Sequence, residues 1–357
     1  MTQSTISSPA YNLRCHTGPQ LAQCCPRLEA YLLRKGSVHL SWHPAWLQVL
    51  KRGLRQIPYC LEVVEGETTR GFLALAYVRS LLFGRFLVSL PYLNYGGVVA
   101  DDERAAQLLI DQAVCLADEL KVRYLELRHE RPLVHPALTE SRTDKVHMRL
   151  ALPTAPEELW NGLSAKVRNQ VRKGQKSGLT VSWGGGELLR EFYAVFSQNM
   201  RDLGTPVFGR RLFASILQKF PDRAELCVVR AEHVPVAAAL LLHGRGITEV
   251  PSASALRAFN PMCANMLLYW HLLERAVVRG QSLFDFGRST KDSNTFRFKK
   301  QWNAEPFPAE WQYYSRVGSV TQLRTENPRY QRFIRLWQRL PVCVTRWLGP
   351  PIVRGIP

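Results

Sequence analysis

The chain has 357 residues and carries 47 Lys and Arg against 29 Asp and Glu, a net charge of +18 at pH 7. With 46% apolar and 21% charged residues, it is neither disordered nor a coiled coil, and its length suits two domains. No apolar run approaches the roughly 18–20 residues of a spanning helix, and Met1–Pro9 lacks a charged-then-apolar export signal, so a cytoplasmic protein is expected. The surplus of cations favours polyanionic partners: nucleic acid, phosphorylated small molecules or an anionic membrane surface. Eight cysteines include no Cys-x-x-Cys pair and no His pair at ligand spacing beside one, so no metal and no disulfide framework is implied.

In chain order, a polar segment over residues 1–24 comes first. Tyr59–Glu65 and Gly71–Val78 then read as a hairpin around Gly66. Pro91-Tyr-Leu-Asn-Tyr-Gly-Gly97 follows a third strand. Tyr92, Asn94 and Tyr95 are candidates to line a substrate cleft, with Gly96-Gly97 allowing close backbone approach; a plain strand-to-helix turn accounts for the same residues. Asp101-Asp102-Glu103 opens a helix whose stripe is Leu109, Ala113, Leu116 and Leu120, and Tyr124–Leu127 is a strand.

The order then recurs about 160 residues later. Ala224–Arg230 and Val236–Leu242 form a hairpin, and Asn260-Pro261 opens a helix striped by Met266, Trp270, Leu273 and Val277. Leu283–Phe286 is again a strand. The ordered series predicts an α/β (α+β) protein of two related modules, each a mixed, mostly antiparallel sheet flanked by helices. Their expected ranges are 25–144 and 145–317, followed by a basic amphipathic tail, 318–357.

Three stretches carry concentrated charge. On one predicted helix Lys166, Asn169, Lys173 and Lys176 share a face beside Arg168 and Arg172, over a buried stripe of Leu163, Val167 and Val171. With no acid nearby these cations suit phosphate, from a nucleic-acid backbone or a nucleotide diphosphate, or a solvated face. A predicted loop, Gly287–Trp302, carries Arg288, Lys291, Arg297, Lys299 and Lys300 against Asp292, at a strand end where α/β modules place site residues. From Arg316 to Pro357 there are eight arginines and one acid, Glu326. Asn327-Pro328 opens a helix with Tyr330, Phe333, Ile334 and Trp337 on one face, which Pro341 ends. Such a helix either lies on anionic lipid at the inner membrane surface or covers the first module's sheet.

The order of elements resembles the GNAT acyltransferase module, and two in tandem resemble the Fem (FemA/FemB/FemX) aminoacyltransferases. Lys166-Val-Arg-Asn-Gln-Val-Arg-Lys173 is similar to the Fem basic helix, and Asp285-Phe-Gly287 with Phe296-Arg-Phe-Lys-Lys-Gln-Trp302 to the family's Asp-Phe-Gly and Arg-Phe-Lys segments. Pro91–Gly97, Arg201-Asp-Leu-Gly-Thr-Pro-Val207 and the 327–350 region resemble the FemAB-like proteins of PEP-CTERM/exosortase exopolysaccharide systems.

The resemblance implies transfer of an acyl or aminoacyl group to an amine on a peptidoglycan-type, exopolysaccharide or other envelope precursor. The donor would be aminoacyl-tRNA or an acyl-coenzyme A co-substrate, with no bound cofactor. It implies Lys299 as the oxyanion cation, with Lys300 as substitute, and Lys166, Arg168, Arg172 and Lys173 as phosphate ligands. Tyr92, Asn94, Tyr95 and Arg288 would line the cleft. Asp285, Glu249 and His271 are the candidate bases.

Two departures stand out. The family's Asp-Pro after the first module's last strand is replaced by Arg128-His129, which points to an anionic acceptor. Arg257–Ala264 lacks the glycines of a coenzyme A pyrophosphate loop. A non-catalytic polyanion-binding protein is the reading from another class.

Overall fold

A computed structural model describes residues 10–36, 39–316 and 328–357, the side chains of 328–331 excepted. The first half contains β1 (Tyr11–Thr17), α1 (Gln20–Arg34), α2 (Trp46–Leu54), β2 (Ile57–Glu65), β3 (Thr68–Ser80), β4 (Gly84–Val88), β5 (Val99–Ala100), α3 (Glu103–Glu119), β6 (Tyr124–His129) and β7 (Glu140–Arg142). Then come β8 (Lys145–Ala151), α4 (Pro156–Gly162), α5 (Ala165–Lys176), β9 (Leu179–Gly184), α6 (Leu189–Leu203), α7 (Arg210–Lys219), β10 (Ala224–Ala231), β11 (Val234–His243) and β12 (Ile247–Ala255). The chain closes with α8 (Ala264–Val278), β13 (Leu283–Thr290), α9 (Asn294–Lys300), β14 (Glu305–Pro308), β15 (Glu310–Ser315), α10 (Pro328–Arg339) and α11 (Val342–Val353).

The duplication is visible in the topology. One sheet has the order β1-β2-β3-β4-β6-β15-β7, the other β14-β8-β13-β12-β11-β10-β9. In each, four successive antiparallel strands lead into a parallel pair, β4 with β6 and β12 with β13. Parallel neighbours require a crossover, and α3 and α8 provide it. Both parallel pairs are short. β12 meets β13 only from Ile247↔Leu283 to Glu249↔Asp285, although β12 runs on to Ala255 and β13 to Thr290. Beyond Glu249 and Asp285 the two strands part.

Sheet membership departs from the expected ranges. Residues 11–17 lie in the expected polar segment but form β1, paired along β2 from Tyr11↔Glu65 to Thr17↔Tyr59. Being an edge strand, β1 alternates in partial exposure and has no apolar run to announce it. β15 falls in the second range yet pairs with β6 and β7 of the first sheet. The helix expected from Asn260 begins at Ala264. Residues 257–262 form a 3-10 turn, and Cys263 stands in left-handed backbone (φ 57) between them.

One core spans both halves. Trp46 and Leu50 of α2 pack with Leu212 and Phe213 of α7 and with Leu226 and Leu240 of the second sheet. A second core lies under α3, and a third joins α4, α5 and α8 to the opposite face of the second sheet. The tail covers the second module's α6 and touches the first module at its end, where Gly355 meets Ser80 and Arg354 O accepts from Gln56. Arg201 Nη1 donates to Leu340 O at 3.2 Å, Gln338 Nε2 to Asp202 O at 3.1 Å and Arg346 Nε to Ser197 Oγ at 2.8 Å. Ile334 rests on Gly204, while Phe333 of the same expected face is 69% exposed. Asn327 and the side chain of Tyr330 lie outside the described residues.

The segment from Leu90 to Gly97 is wedged between the two halves, with Leu90 (φ 53) and Tyr92 (φ 80) in left-handed backbone. Its glycines serve packing rather than access. A Cβ on Gly96 would lie 2.5 Å from Ser89 O, and one on Gly97 2.0 Å from His129 Cδ2. Gly97→Ala should therefore cost about 1–3 kcal/mol. Gly162→Ala, where nothing lies within 4 Å, should change stability by less than about 1 kcal/mol; urea unfolding of both variants checks the contrast.

Candidate active site

Along β13, Phe284 and Phe286 enter the core under α8, so Asp285 between them faces the first module. It is 1% exposed. Its carboxylate accepts the Tyr95 hydroxyl, Arg149 Nε at 3.3 Å and the Gly287 N–H at 2.6 Å. Gly287 (φ 76) turns its amide back to that oxygen, a conformation that favours glycine. Burial raises the carboxyl's proton affinity, but His39, His147 and Arg149 around it outweigh that and hold its pKa below the ordinary value. Asp285 is an ionised anchor with its oxygens engaged.

The network extends through both halves. The Tyr95 ring is stacked between His39 (4.1 Å) and His147 (4.2 Å). Arg149 Nη2 donates to Tyr95 Oη at 2.9 Å, approaches His39 Nε2 at 3.2 Å and pairs with Glu130, whose carboxylate is the most exposed acid of the group. Glu249 accepts Ser41 Oγ at 2.5 Å and the Ser41 N–H at 3.1 Å, and lies 3.5 Å from His39 Nδ1. Burial works against charge on His39, yet Glu249 and Asp285 hold its pKa above the usual value. His147 is different. It is fully buried, neither ring nitrogen has a partner, and burial pushes its pKa down to about 3.

Sequence reasoning had singled out Asp285, Tyr95 and Glu249 from this group and missed His39, Glu130, His147 and Arg149. The available signal was alternation: Lys145, His147 and Arg149 put three polar side chains on one face of β8.

Lys299 sits just beyond the parted strands. The expected loop over 287–302 is mostly regular: β13 continues to Thr290, and α9 starts under a Ser293 cap, whose Oγ accepts the Phe296 N–H at 3.2 Å. Lys299 is buried, and its Nζ donates to Gly287 O (3.0 Å) and Arg288 O (3.1 Å). Burial, with Arg288 adding to it and Asp285 opposing, lowers its pKa to about 8. An ammonium has three N–H groups, so one is left for a ligand. Lys300 is exposed, over Phe296.

The other expected ligands are dispersed. Tyr92 Oη meets Ser252 Oγ at 3.1 Å, and the Asn94 amide nitrogen is 3.1 Å from where a Gly287 Cβ would stand. Arg128, expected to meet the acceptor, is internal. Its Nε donates to Glu126 (2.7 Å), its Nη1 to Leu93 O (2.5 Å), and its guanidinium stacks on Trp311 at 4.1 Å. Arg288 stacks on the same indole at 3.5 Å, with Nη1 unpartnered; burial and then Arg128 lower its pKa to about 9.

On α5, Lys166, Arg172 and Lys173 are exposed, and Arg168 Nη1 reaches Asn161 O at 3.2 Å. That helix lies on α8, Gly174 facing the carbonyls of Met262 and Cys263, across the second sheet from Asp285. His271, also on α8, pairs with Glu274 at 3.0 Å, away from the cluster.

Residues 163–300 match the Acetyltransferase (GNAT) domain family. Among solved structures, FemX superposes with a TM-score of 0.61 at 15% identity, covering 86% of this chain and 98% of that one. L-PGS from Bacillus licheniformis gives 0.56 at 14%, covering 88% and 97%. A tandem GNAT protein from the clavulanic acid biosynthesis pathway gives 0.53 at 12%, covering 86% and 100%. No curated protein sequence matches. The architecture is therefore a tandem GNAT fold.

Tyr95→Phe removes one hydroxyl that both donates to Asp285 and accepts from Arg149. It should cost about 1–3 kcal/mol in chemical unfolding. The depressed pKa of Asp285 stabilises the fold above its unfolded value, about 3.9, and that stability is lost as pH falls through the lower, folded pKa. Asp285→Asn should accordingly flatten the acid limb of a stability-versus-pH curve.

Proposed function

We propose that this protein transfers an acyl or aminoacyl group to an amine of a cell-envelope or exopolysaccharide precursor. The observation that carries the reading is the position of Lys299: a buried, partly committed ammonium held by the carbonyls of Gly287 and Arg288, on the part of β13 that has left β12, inside the segment matching a GNAT domain. Attack of an amine on an acyl carbonyl creates a tetrahedral oxyanion, and a desolvated cation held in place stabilises it without reorganisation. Two carbonyls orient Lys299, and its third N–H serves the oxyanion. Asp285, fully engaged and held ionised, keeps Gly287, Tyr95 and Arg149 in register and is ill suited to take a proton. Glu130, the solvent-facing end of the network, would receive the proton of the attacking amine. Gly174 of α5 faces the turn before α8, and the exposed cations of that helix, Lys166, Arg172 and Lys173, would meet donor phosphates.

The GNAT-domain match favours acyl-coenzyme A as an alternative donor. Against it, the turn before α8 has no glycine, Pro261 offers no N–H, and the Phe259 and Cys263 amides bond to Leu256 O and Asn260 O. Aminoacyl-tRNA is the preferred donor, and the thermal shift produced by each donor distinguishes them.

Lys299→Ala should lower kcat roughly 10²–10³-fold with little change in substrate affinity; a loss confined to affinity would indicate a non-catalytic polyanion binder. Because the ammonium is the active form and its pKa is about 8, kcat should hold below that pH and decline above it. Lys299→Arg, where active, should abolish the decline.

A further inference from the structure

Three segments distant in sequence, residues 44–61, 74–98 and 328–357, contain no Asp or Glu. The fold brings parts of the three together. Gln56 Nε2 donates to Arg354 O at 3.4 Å, and Gly355 packs so closely on the β3–β4 hairpin that a Cβ there would lie 2.6 Å from Ser80 Oγ. Ser80 Oγ in turn accepts the N–H groups of Leu82 and Phe83, both at 3.2 Å, which fixes the hairpin tip beside the end of α11.

The tip is apolar and bare: Leu81 is 108% exposed and Leu82 75%. Ile356 beside it is exposed, as are Trp347 of α11 and Phe333 and Leu336 of α10. The same segments carry exposed cations: Lys51, Arg52 and Arg55 at the end of α2, Arg79 and Arg85 flanking the tip in sequence, and Arg339, Arg346 and Arg354 along the tail, Arg346 also bonding Ser197 Oγ. Single exposed leucines are ordinary, but several exposed large apolar residues among exposed cations on acid-free segments are not.

We infer that this part of the molecule docks on the surface of an anionic lipid bilayer, with Leu81, Leu82 and Trp347 entering the headgroup boundary and the arginines meeting lipid phosphates. Charge complementarity selects that occupant. A second copy would set one cationic face against another in a chain already at +18. A nucleic acid would answer the arginines but leave the aliphatic tip in water. Basic residues near an anionic surface add their attractions, enough together for reversible peripheral binding. No described helix is long and apolar enough to cross a membrane. The inference is independent of the proposed transfer reaction.

The test is sedimentation of the full chain with vesicles of phosphatidylcholine alone or mixed with phosphatidylglycerol. Binding is expected only with phosphatidylglycerol, weakening as salt rises. L81E/L82E and W347E should each lower the partition coefficient roughly tenfold or more, on the scale of several buried CH₂ groups, while V134E and V278E should not. Circular dichroism monitors folding of all four. Failure of the wild type to bind anionic vesicles, or equal loss in the V134E and V278E variants, overturns the inference. So does conversion of an oligomer to a monomer by L81E/L82E with vesicle binding unchanged, or an effect of these variants on RNA retention alone.

Discussion

A carboxylate sealed between two half-molecules sets the terms for the rest of this fold. Removing an ion of this size from water costs several kcal/mol unless its lone pairs are met, and Asp285 can meet them only by recruiting from both sides. Tyr95 comes from the first half, Arg149 and the Gly287 amide from the second. Each recruit brings its own requirement. Tyr95 needs the imidazoles of His39 and His147 against its faces, and Arg149 needs Glu130. The relative position of the two sheets is thus tied to polar contacts of narrow geometry, while the shared apolar core around Trp46, Leu212 and Phe213 supplies non-directional cohesion. Breaking one member leaves a buried ion, so the halves cannot slide without losing several contacts together.

The duplicated topology makes the divergence of the two halves legible. In each sheet a carboxylate occupies the last residue of the short parallel pair, Glu126 opposite Val88 and Asp285 opposite Glu249. Around Glu126 the space is filled by Arg128, itself stacked on Trp311 of β15, so the first sheet's opening is closed by side chains. At the second, α9 delivers Lys299 to the carbonyls of Gly287 and Arg288, and the strands stay apart. The same architectural gap is thus sealed in one copy and supplied with a desolvated cation in the other. The strand exchange reinforces this asymmetry. β15 returns to the first sheet immediately after β14 has extended the second, binding the C-terminal end of one module to the other.

Much of the fold was readable from pattern. The stripe Met266–Val277 lies buried as its spacing requires, as does Leu109–Leu120 apart from its half-buried last member Leu120, and the two hairpins are where the strand pattern put them. Of the site, Asp285 and Lys299 were legible because Asp-Phe-Gly and Phe-Lys-Lys are local signatures. Arg149, His147 and His39 were not, because most of what makes them matter is far away in the chain, Arg149 lying 136 residues from Asp285 and 110 from His39. The basic helix shows the converse: its periodicity was unmistakable, yet periodicity names a face without saying what that face opposes. α5 stands across the second sheet from Asp285.

What the linear order of residues determined by itself is therefore short-range and periodic: element type, the repeat, the apolar stripes and the cationic surplus, since each depends on neighbours within a few positions or on simple totals. Tertiary structure decided which polar groups are buried together, which arginines are committed internally, and which acid-free segments come together. Those outcomes depend on desolvation and on partners brought together by strand crossover and sheet pairing, and no local pattern carries that information.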